Sequence, residues 1–326
     1  MKFYFAPMEG INGYIYRNAY HQYFNKIDKY FMPFVAPTQN KKLSSKAIND
    51  MSAINNEGLT TVPQVLTNKA DQFIFTAEAV RALGYNSVNL NLGCPSSTVV
   101  SKKKGSGFLG DLEVLNYFLD EVFEKTPLNI SIKTRLGIDS ETEFKALMKI
   151  FNQYPLEELI IHPRTQKDYY KNTPHLDVFE EAVENKTMPI VYNGDIFTVS
   201  DYQKFIERFP EIETVMLGRG LLGNPNLISD INEEKNLSKE VLRAFHDKLL
   251  IDYKVVMSGE RPVLYKMKEL WFYMIHLFEE PTKYLKNIRK SQNLHSYMEV
   301  IEALFLERNL VYNGDNFHDI IKGIRK

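Results

Sequence analysis

Short apolar runs recur through roughly the first 225 positions, separated by longer stretches whose apolar residues fall three and four apart. The runs predict strands at Phe3–Met8, Tyr30–Val35, Thr61–Leu66, Ser87–Leu92, Asn129–Thr134, Glu158–His162, Pro189–Tyr192 and Thr214–Leu217. Helical spacing separates most of them, as over Lys69–Leu83, which Gly84 stops. Only the link between the second and third strands lacks a clear period. Beyond Asn236 the period of two disappears. Ser238 is placed to cap a helix with Val241, Phe245, Leu249, Tyr253 and Val256 on one face, and helical stretches follow at Val263–Phe278, Pro281–Lys290 and Ser296–Glu307.

Eight strands alternating with helices predict an α/β chain, a (β/α)8 TIM barrel followed by a smaller all-α helical bundle domain. The expected boundaries are 1–235 for the barrel and 236–326 for the bundle. A doubly wound sheet fits the same alternation. The polar residues at the strand ends favour the barrel, whose strand C-termini converge on one mouth.

Composition narrows the setting. With 44% hydrophobic and 25% charged residues the chain belongs with globular proteins, and no apolar run is long enough to cross a membrane. One cysteine forms no internal disulfide and excludes a cysteine-rich zinc site, so no metal is expected. The first apolar run is too short for a secretion signal and reads as a strand, which makes the cytoplasm the expected location. The net charge of −1 hides a mild asymmetry, since residues from Asn236 onward carry 15 Lys and Arg against 12 Asp and Glu. That is weak support for a nucleic-acid partner. No apolar helix face is left over, so a monomer is expected.

Several strand ends carry candidate chemistry. Cys94 lies in Asn91-Leu92-Gly93-Cys94-Pro95-Ser96. A lone cysteine is commonly a packing residue, but Pro95 biases Cys94 towards extended backbone just past a strand, which can aim a thiol over the mouth. Asn193-Gly194-Asp195 and Gly218-Arg219-Gly220 end the last two strands, where barrels often bind phosphate; each also reads as an ordinary turn. Lys133 and Arg135, two apart, are expected on one side, facing either an electron-rich ligand or structural ion partners. His162, Arg164 and Tyr170 follow the sixth strand, with a structural histidine as the plain alternative. Gly105-Ser106-Gly107-Phe108-Leu109-Gly110 fits GxGxxG, but it begins about a dozen residues past a strand, after Lys102-Lys103-Lys104. It therefore reads as a loop over the mouth, with the lysines either facing RNA phosphates or simply solvated.

Taken in order, these segments resemble the tRNA-dihydrouridine synthases. The resemblance runs through Ala6-Pro7-Met8-Glu9-Gly10, Val62-Pro63-Gln64-Val65, the Cys94 motif and Ile132-Lys133-Thr134-Arg135-Leu136-Gly137. It continues through Ile161-His162-Pro163-Arg164-Thr165, Tyr192-Asn193-Gly194-Asp195 and Met216-Leu217-Gly218-Arg219-Gly220, essentially the whole barrel. It implies FMN held by Pro7, Met8, Gln64, Lys133, His162, Asn193, Gly194, Asp195, Gly218 and Arg219. It also implies a substrate uracil faced by Asn91, Arg135 and Tyr170, and Cys94 as the general acid. NADPH (or NADH) is the implied reductant and tRNA the implied partner; Lys283, Lys286 and Lys290, at helical spacing with Arg289 beside them, are candidates to grip it from the helical domain, with an ordinary solvated helix face as the alternative. Tyr169 stands where relatives often have glycine, and Lys102-Lys103-Lys104 is more basic than usual, so the uridine that is reduced stays open. A dihydroorotate-type dehydrogenase acting on a free pyrimidine and a catalytically silent RNA-binding protein are the competing readings.

Overall fold

The computed structural model describes residues 1–24 and 26–311. Nine strands, β1 (Lys2–Phe5), β2 (Lys29–Phe31), β3 (Thr61–Val62), β4 (Gln64–Val65), β5 (Ser87–Leu92), β6 (Asn129–Thr134), β7 (Leu159–Ile161), β8 (Ile190–Tyr192) and β9 (Thr214–Leu217), make one sheet. The order is β3-β2-β1-β9-β8-β7-β6-β5-β4 and the pairing is parallel. β3 and β4 are two halves of one run, broken at Pro63, which has no N–H to give a ladder. Val62 O accepts from Met32 N on one side and Pro63 O from Asn89 N on the other, and Val35 bridges Val65. The two edges of the sheet are therefore neighbours in the chain, and the sheet closes as an eight-stranded barrel.

Register decides what the barrel encloses. Tyr4, Ala6, Phe31, Val62, Ile160, Val191 and Met216 form its inner apolar layer, with Met8 packed against them. Cross-strand partners point to the same face. Asn91 pairs Lys133, Lys133 pairs Ile160, and Ile160 pairs Val191, so Asn91 and Lys133 share the inner face with that layer. The next inward positions of β7 and β8 are His162 and Asn193, two residues on. Polar chemistry thus begins where the apolar layer stops, at the strand C-termini. Helices alternate with the strands along the chain, including Ala70–Ala82, Leu112–Lys125 and Phe144–Phe151. The first two meet through Phe73 and Phe118, edge to face at 6.1 Å.

By contact density the chain falls into two compact units. One comprises Met1–Tyr14, Ile27–Asp195 and Ile206–Leu217, and the other comprises Ile15–Lys26, Ile196–Phe205 and Gly218–Lys326. Among its described residues the second unit is helical. Helix Lys239–Val256 begins at Ser238, whose hydroxyl accepts from Val241 N. Phe245 on this helix takes Tyr16, Tyr20, Tyr23 and Phe24 around it at centroid distances of 5.1–6.5 Å. This ties the early helix Tyr14–Phe24 to the late one through a nearly all-aromatic contact. His246, Tyr297 and Trp271 then join three helices: Trp271 Nε1 donates to Tyr297 Oη at 2.6 Å, and Tyr297 Oη lies 2.7 Å from His246 Nε2. Residues 312–326 of the expected 236–326 domain lie outside the described residues. Among the described residues no helix is long and apolar enough to cross a membrane.

Candidate active site

Cys94 sits just past β5, and hydrogen bonds fix its peptide from several directions. Its N–H and that of Gly93 both donate to Asn91 Oδ1 at 3.0 Å. Asn91 Nδ2 donates to Gln64 Oε1 (2.8 Å), Gln64 Nε2 to Asn89 Oδ1 (2.7 Å), and Asn89 Nδ2 to Ser131 Oγ (2.8 Å). A ladder of amides across β4, β5 and β6 therefore sets the turn that carries the thiol. From the other side, Ser106 N and Oγ both donate to Cys94 O, at 3.1 and 3.0 Å. Gly105 makes that approach possible, because a Cβ there would stand 2.6 Å from Cys94 O and its φ is +57°. The GxGxxG segment is thus a single turn docked on the cysteine.

The thiol is half-buried. Burial raises its pKa above the ordinary thiol value and the charge of Glu9 adds to this, while the Ser96 N–H, Arg135 and Lys133 pull the other way. The net result is a protonated sulfur at neutral pH, the form a proton donor needs.

Lys133 is the other distinctive group. Burial, helped by the Arg135 charge, pulls its pKa down to about 7, and only the nearby Cys94 opposes this. Among the described residues no carboxylate or hydrogen-bond acceptor partners its amine. An amine held inside a barrel mouth without an acceptor suits an electron-rich ligand, such as the carbonyls and ring nitrogens of a flavin.

His162 belongs to a second buried network. Arg164 lacks any exposed side-chain surface and forms a bidentate pair with Asp195, at 2.9 and 2.5 Å. It also lies 3.0 Å from His162 Nε2 and bonds Asn172 O. A guanidinium only donates, so His162 Nε2 accepts, and the ring is neutral with its proton on Nδ1. Tyr170 lies over the site, 6.0 Å from the His162 ring and 5.2 Å from the Arg135 guanidinium.

Two of the expected site residues, Gln64 and Arg135, are buried within supporting networks. Gln64, expected at a flavin ring, has no exposed surface, and its amide is bonded on both sides to Asn91 and Asn89. It acts through the Cys94 turn. Arg135, expected at the uracil beside Lys133, is 1% exposed, because the strand ends at Thr134 and the chain turns away. Its guanidinium donates to Gly93 O (3.0 Å), Thr165 O (2.8 Å) and Tyr169 O (2.8 Å). It staples three mouth segments and, among the described residues, forms no ion pair.

The remaining expected residues follow the strand ends. Pro7 and Met8 are half-buried after β1, with Met8 N donating to Asn12 Oδ1 at 2.8 Å. Asn193 donates to Met216 O, and a Cβ on Gly194 would collide with Tyr192 Oη at 1.9 Å. Asp195 pairs with Arg164. Gly218 and Arg219 open a short helix directly after β9, with the Arg219 guanidinium 5.1 Å from the Phe197 ring.

Sequence reasoning missed three supports. Asn12 is fully buried and bonds Met8, Ala6 and Phe31. Asp168 ties Thr165, Asn172 and His175 together. Ser106 links Cys94 to Gln166. None falls in a periodic segment, and most of their contacts cross loops that no local pattern specifies. Among the described residues no group of three or more His, Cys, Asp or Glu is placed to hold a metal ion.

A parallel (β/α)8 barrel whose polar side chains, Cys94 and Lys133 among them, gather at the strand C-termini has the arrangement of a barrel enzyme. Residues 4–313 match the family described as dihydrouridine synthase (Dus), and the chain belongs to that family. It is 28% identical over 235 residues to the tRNA-dihydrouridine(16) synthase of Shigella flexneri, covering 69% of this chain and 72% of that one. It is 26% identical over 229 residues to tRNA-dihydrouridine synthase B of Pasteurella multocida (strain Pm70), covering 69% and 67%. Among solved structures the fold is similar to morphinone reductase in complex with tetrahydroNAD, with a TM-score of 0.53, 10% identity, and coverage of 73% of this chain and 88% of that one.

Proposed function

We propose that the protein is a tRNA-dihydrouridine synthase that saturates the C5=C6 bond of uridine in tRNA, with Cys94 as general acid. The observation that carries this reading is the Cys94 turn, fixed at the barrel mouth by Asn91 and Ser106 and close to Lys133, whose amine has no acceptor among the described residues. A flavin bound at the mouth, FMN by the family resemblance, would supply the hydride for C6, with NADPH (or NADH) as the source of its electrons. Lys133 would hold it through the amine, with Pro7, Met8 and the neutral His162 beside the ring. Asn193, Gly194, Gly218 and Arg219 would complete the cofactor shell.

The chain's own part is to orient the uracil and deliver one proton. Hydride at C6 leaves negative charge over C5 and the C4 oxygen. Cys94 gives its proton to C5, and the thiolate that forms is stabilised by the Ser96 N–H and by the charges of Arg135 and Lys133. Tyr170 would cover the base, and Asn91 would hold both the base and the Cys94 turn. A uridine in folded tRNA must leave its stack to reach this point, at a cost of a few kcal/mol.

The division at 1–235 and 236–326 assigns catalysis to the barrel and tRNA grip to the helical part. On helix Thr282–Lys290, Lys283, Lys286, Arg289 and Lys290 are exposed while Tyr284 and Ile288 are buried. The reading also carries a cytoplasmic monomer.

Its test is mass spectrometry of nucleosides from unmodified tRNA incubated with protein, FMN and NADPH. A gain of two hydrogens on a uridine is expected. No gain from folded, flavin-loaded protein would shift the assignment to a free pyrimidine.

A further inference from the structure

The turn carrying Cys94 is joined to two surface features that the reaction itself does not use. The first is a basic ridge. Lys102 and Lys103 are exposed and Lys104 is half-buried, and Asn68 Nδ2 fixes their loop by donating to Lys102 O (3.1 Å) and Lys103 O (3.0 Å). Lys103 adopts φ +50°, uncommon for a residue with a side chain. Lys69 lies close enough that its charge and that of Lys102 both act on Lys104. Among the described residues none of these four amines has an ion-pair partner, so repulsion within the cluster goes unrelieved.

The second feature is Tyr169. It is 45% exposed and holds φ +49°, a conformation that is strained for a bulky side chain. The strain is maintained from behind: Arg135 donates to Tyr169 O, and Tyr169 N donates to Gln166 O at 3.2 Å. Gln166 in turn accepts from Ser106 Oγ at 3.3 Å, and Ser106 follows the lysine ridge and bonds Cys94 O. Ridge, cysteine and exposed tyrosine therefore form one hydrogen-bonded surface around the mouth.

We propose that this surface binds the nucleotides flanking the target uridine, with Tyr169 as a stacking platform for a neighbouring base and Lys69, Lys102, Lys103 and Lys104 as contacts to the backbone phosphates. The inference rests on the tRNA reading given above. A cationic track beside an exposed aromatic face is the arrangement that unstacked RNA needs, because every base has a face to stack and every nucleotide a phosphate. Since a single strand must splay out to place one base at Cys94, its neighbours have to be held at the rim, where these residues lie.

The experiment measures affinity for an unmodified tRNA transcript against salt, together with uridine reduction, in three variants. Tyr169→Gly relaxes the backbone and does not threaten folding. It is expected to raise KM for tRNA by about 5- to 100-fold, while NADPH oxidation without tRNA is unchanged. Tyr169→Phe keeps the ring and should bind tRNA as the unaltered protein does. Replacing the ridge with Lys102→Ser, Lys103→Asn and Lys104→Ser should flatten the slope of log affinity against log salt by about 2. Tyr169→Gly binding tRNA normally, or Tyr169→Phe failing alongside it, overturns the stacking role. An unchanged salt slope in the lysine variant overturns the phosphate role. If the unaltered protein reduces no uridine in any tRNA, the underlying reading fails, which is distinguishable from a variant effect on a working enzyme.

Discussion

The barrel holds two inward-facing lysines at opposite ends, in opposite electrostatic states. Lys29, near the strand N-termini, bonds Glu157 at 2.9 Å and Glu158 at 3.2 Å and lies 5.2 Å from the Tyr4 ring. Burial alone would lower its pKa, but the two glutamates more than offset this and hold it above the ordinary range. Tyr4 Oη donates to Glu158 at 2.9 Å, so the cluster is satisfied, and burial leaves the Glu158 carboxyl raised even so. Lys133, at the other end, has no such partner and falls to about 7. Both side chains project from strands of the same parallel sheet. The difference teaches that the lower cluster closes the barrel, whereas the upper amine is left for something the protein binds.

Breaking the lower cluster should have the larger effect on stability. Lys29→Met leaves Glu158 buried without its cation, and a loss of about 3–5 kcal/mol is expected in denaturant unfolding. At the mouth the sign should reverse. Lys133→Met removes an amine whose charge the mouth disfavours and should stabilise the cofactor-free protein at neutral pH, a change opposite in sign to that of Lys29→Met. The pH dependence follows from linkage. Between about 7 and the ordinary 10.5 the unfolded chain carries the lysine proton and the native state does not. Stability from this group therefore rises with pH across that window, and Lys133→Met should flatten the rise in urea midpoints measured at pH 7 and pH 9. Tyr4→Phe, which removes one of the bonds to Glu158, should cost about 1 kcal/mol in the same assay. Equal effects from the two lysine variants would remove the contrast.

A titration of FMN into the protein at pH 8 sharpens the same point. An electron-rich ligand beside Lys133 restores its charge, so binding should take up protons in the unaltered protein and not in Lys133→Met.

Much of the fold was legible in the sequence. Ser87–Leu92, Asn129–Thr134 and Thr214–Leu217 are strands over those same residues, since each run ends at a change from β-rich to turn-forming residues. The run expected at Thr61–Leu66 divides at Pro63, and that expected at Phe3–Met8 stops at Phe5, because the chain then turns into the mouth through Pro7. The obscure link between the second and third strands contains a helix, Ser45–Met51, with only Met51 buried and so little apolar period to read. At the site, strand-end residues such as Lys133, His162 and Asn193 could be found because position on a strand fixes direction. The amide ladder behind Cys94 could not, since its bonded pairs are up to 42 residues apart. The carbonyl contacts of Arg135 are hidden for a related reason. A spacing of two implies a shared face only while the strand continues, and this one ends at Thr134.

The central claim is that Cys94 delivers the proton, and a single-turnover comparison tests it most directly. Unaltered protein and Cys94→Ala would each be loaded with FMN, reduced with NADPH and mixed with unmodified tRNA. Equal rates of cofactor reduction and a fall of about 10²- to 10⁴-fold in uridine reduction are expected for Cys94→Ala. The unaltered protein is also expected to lose activity only as pH rises beyond the ordinary thiol range, because burial holds the Cys94 proton there. Uridine reduced by Cys94→Ala at the unaltered rate would contradict the assignment of the acid.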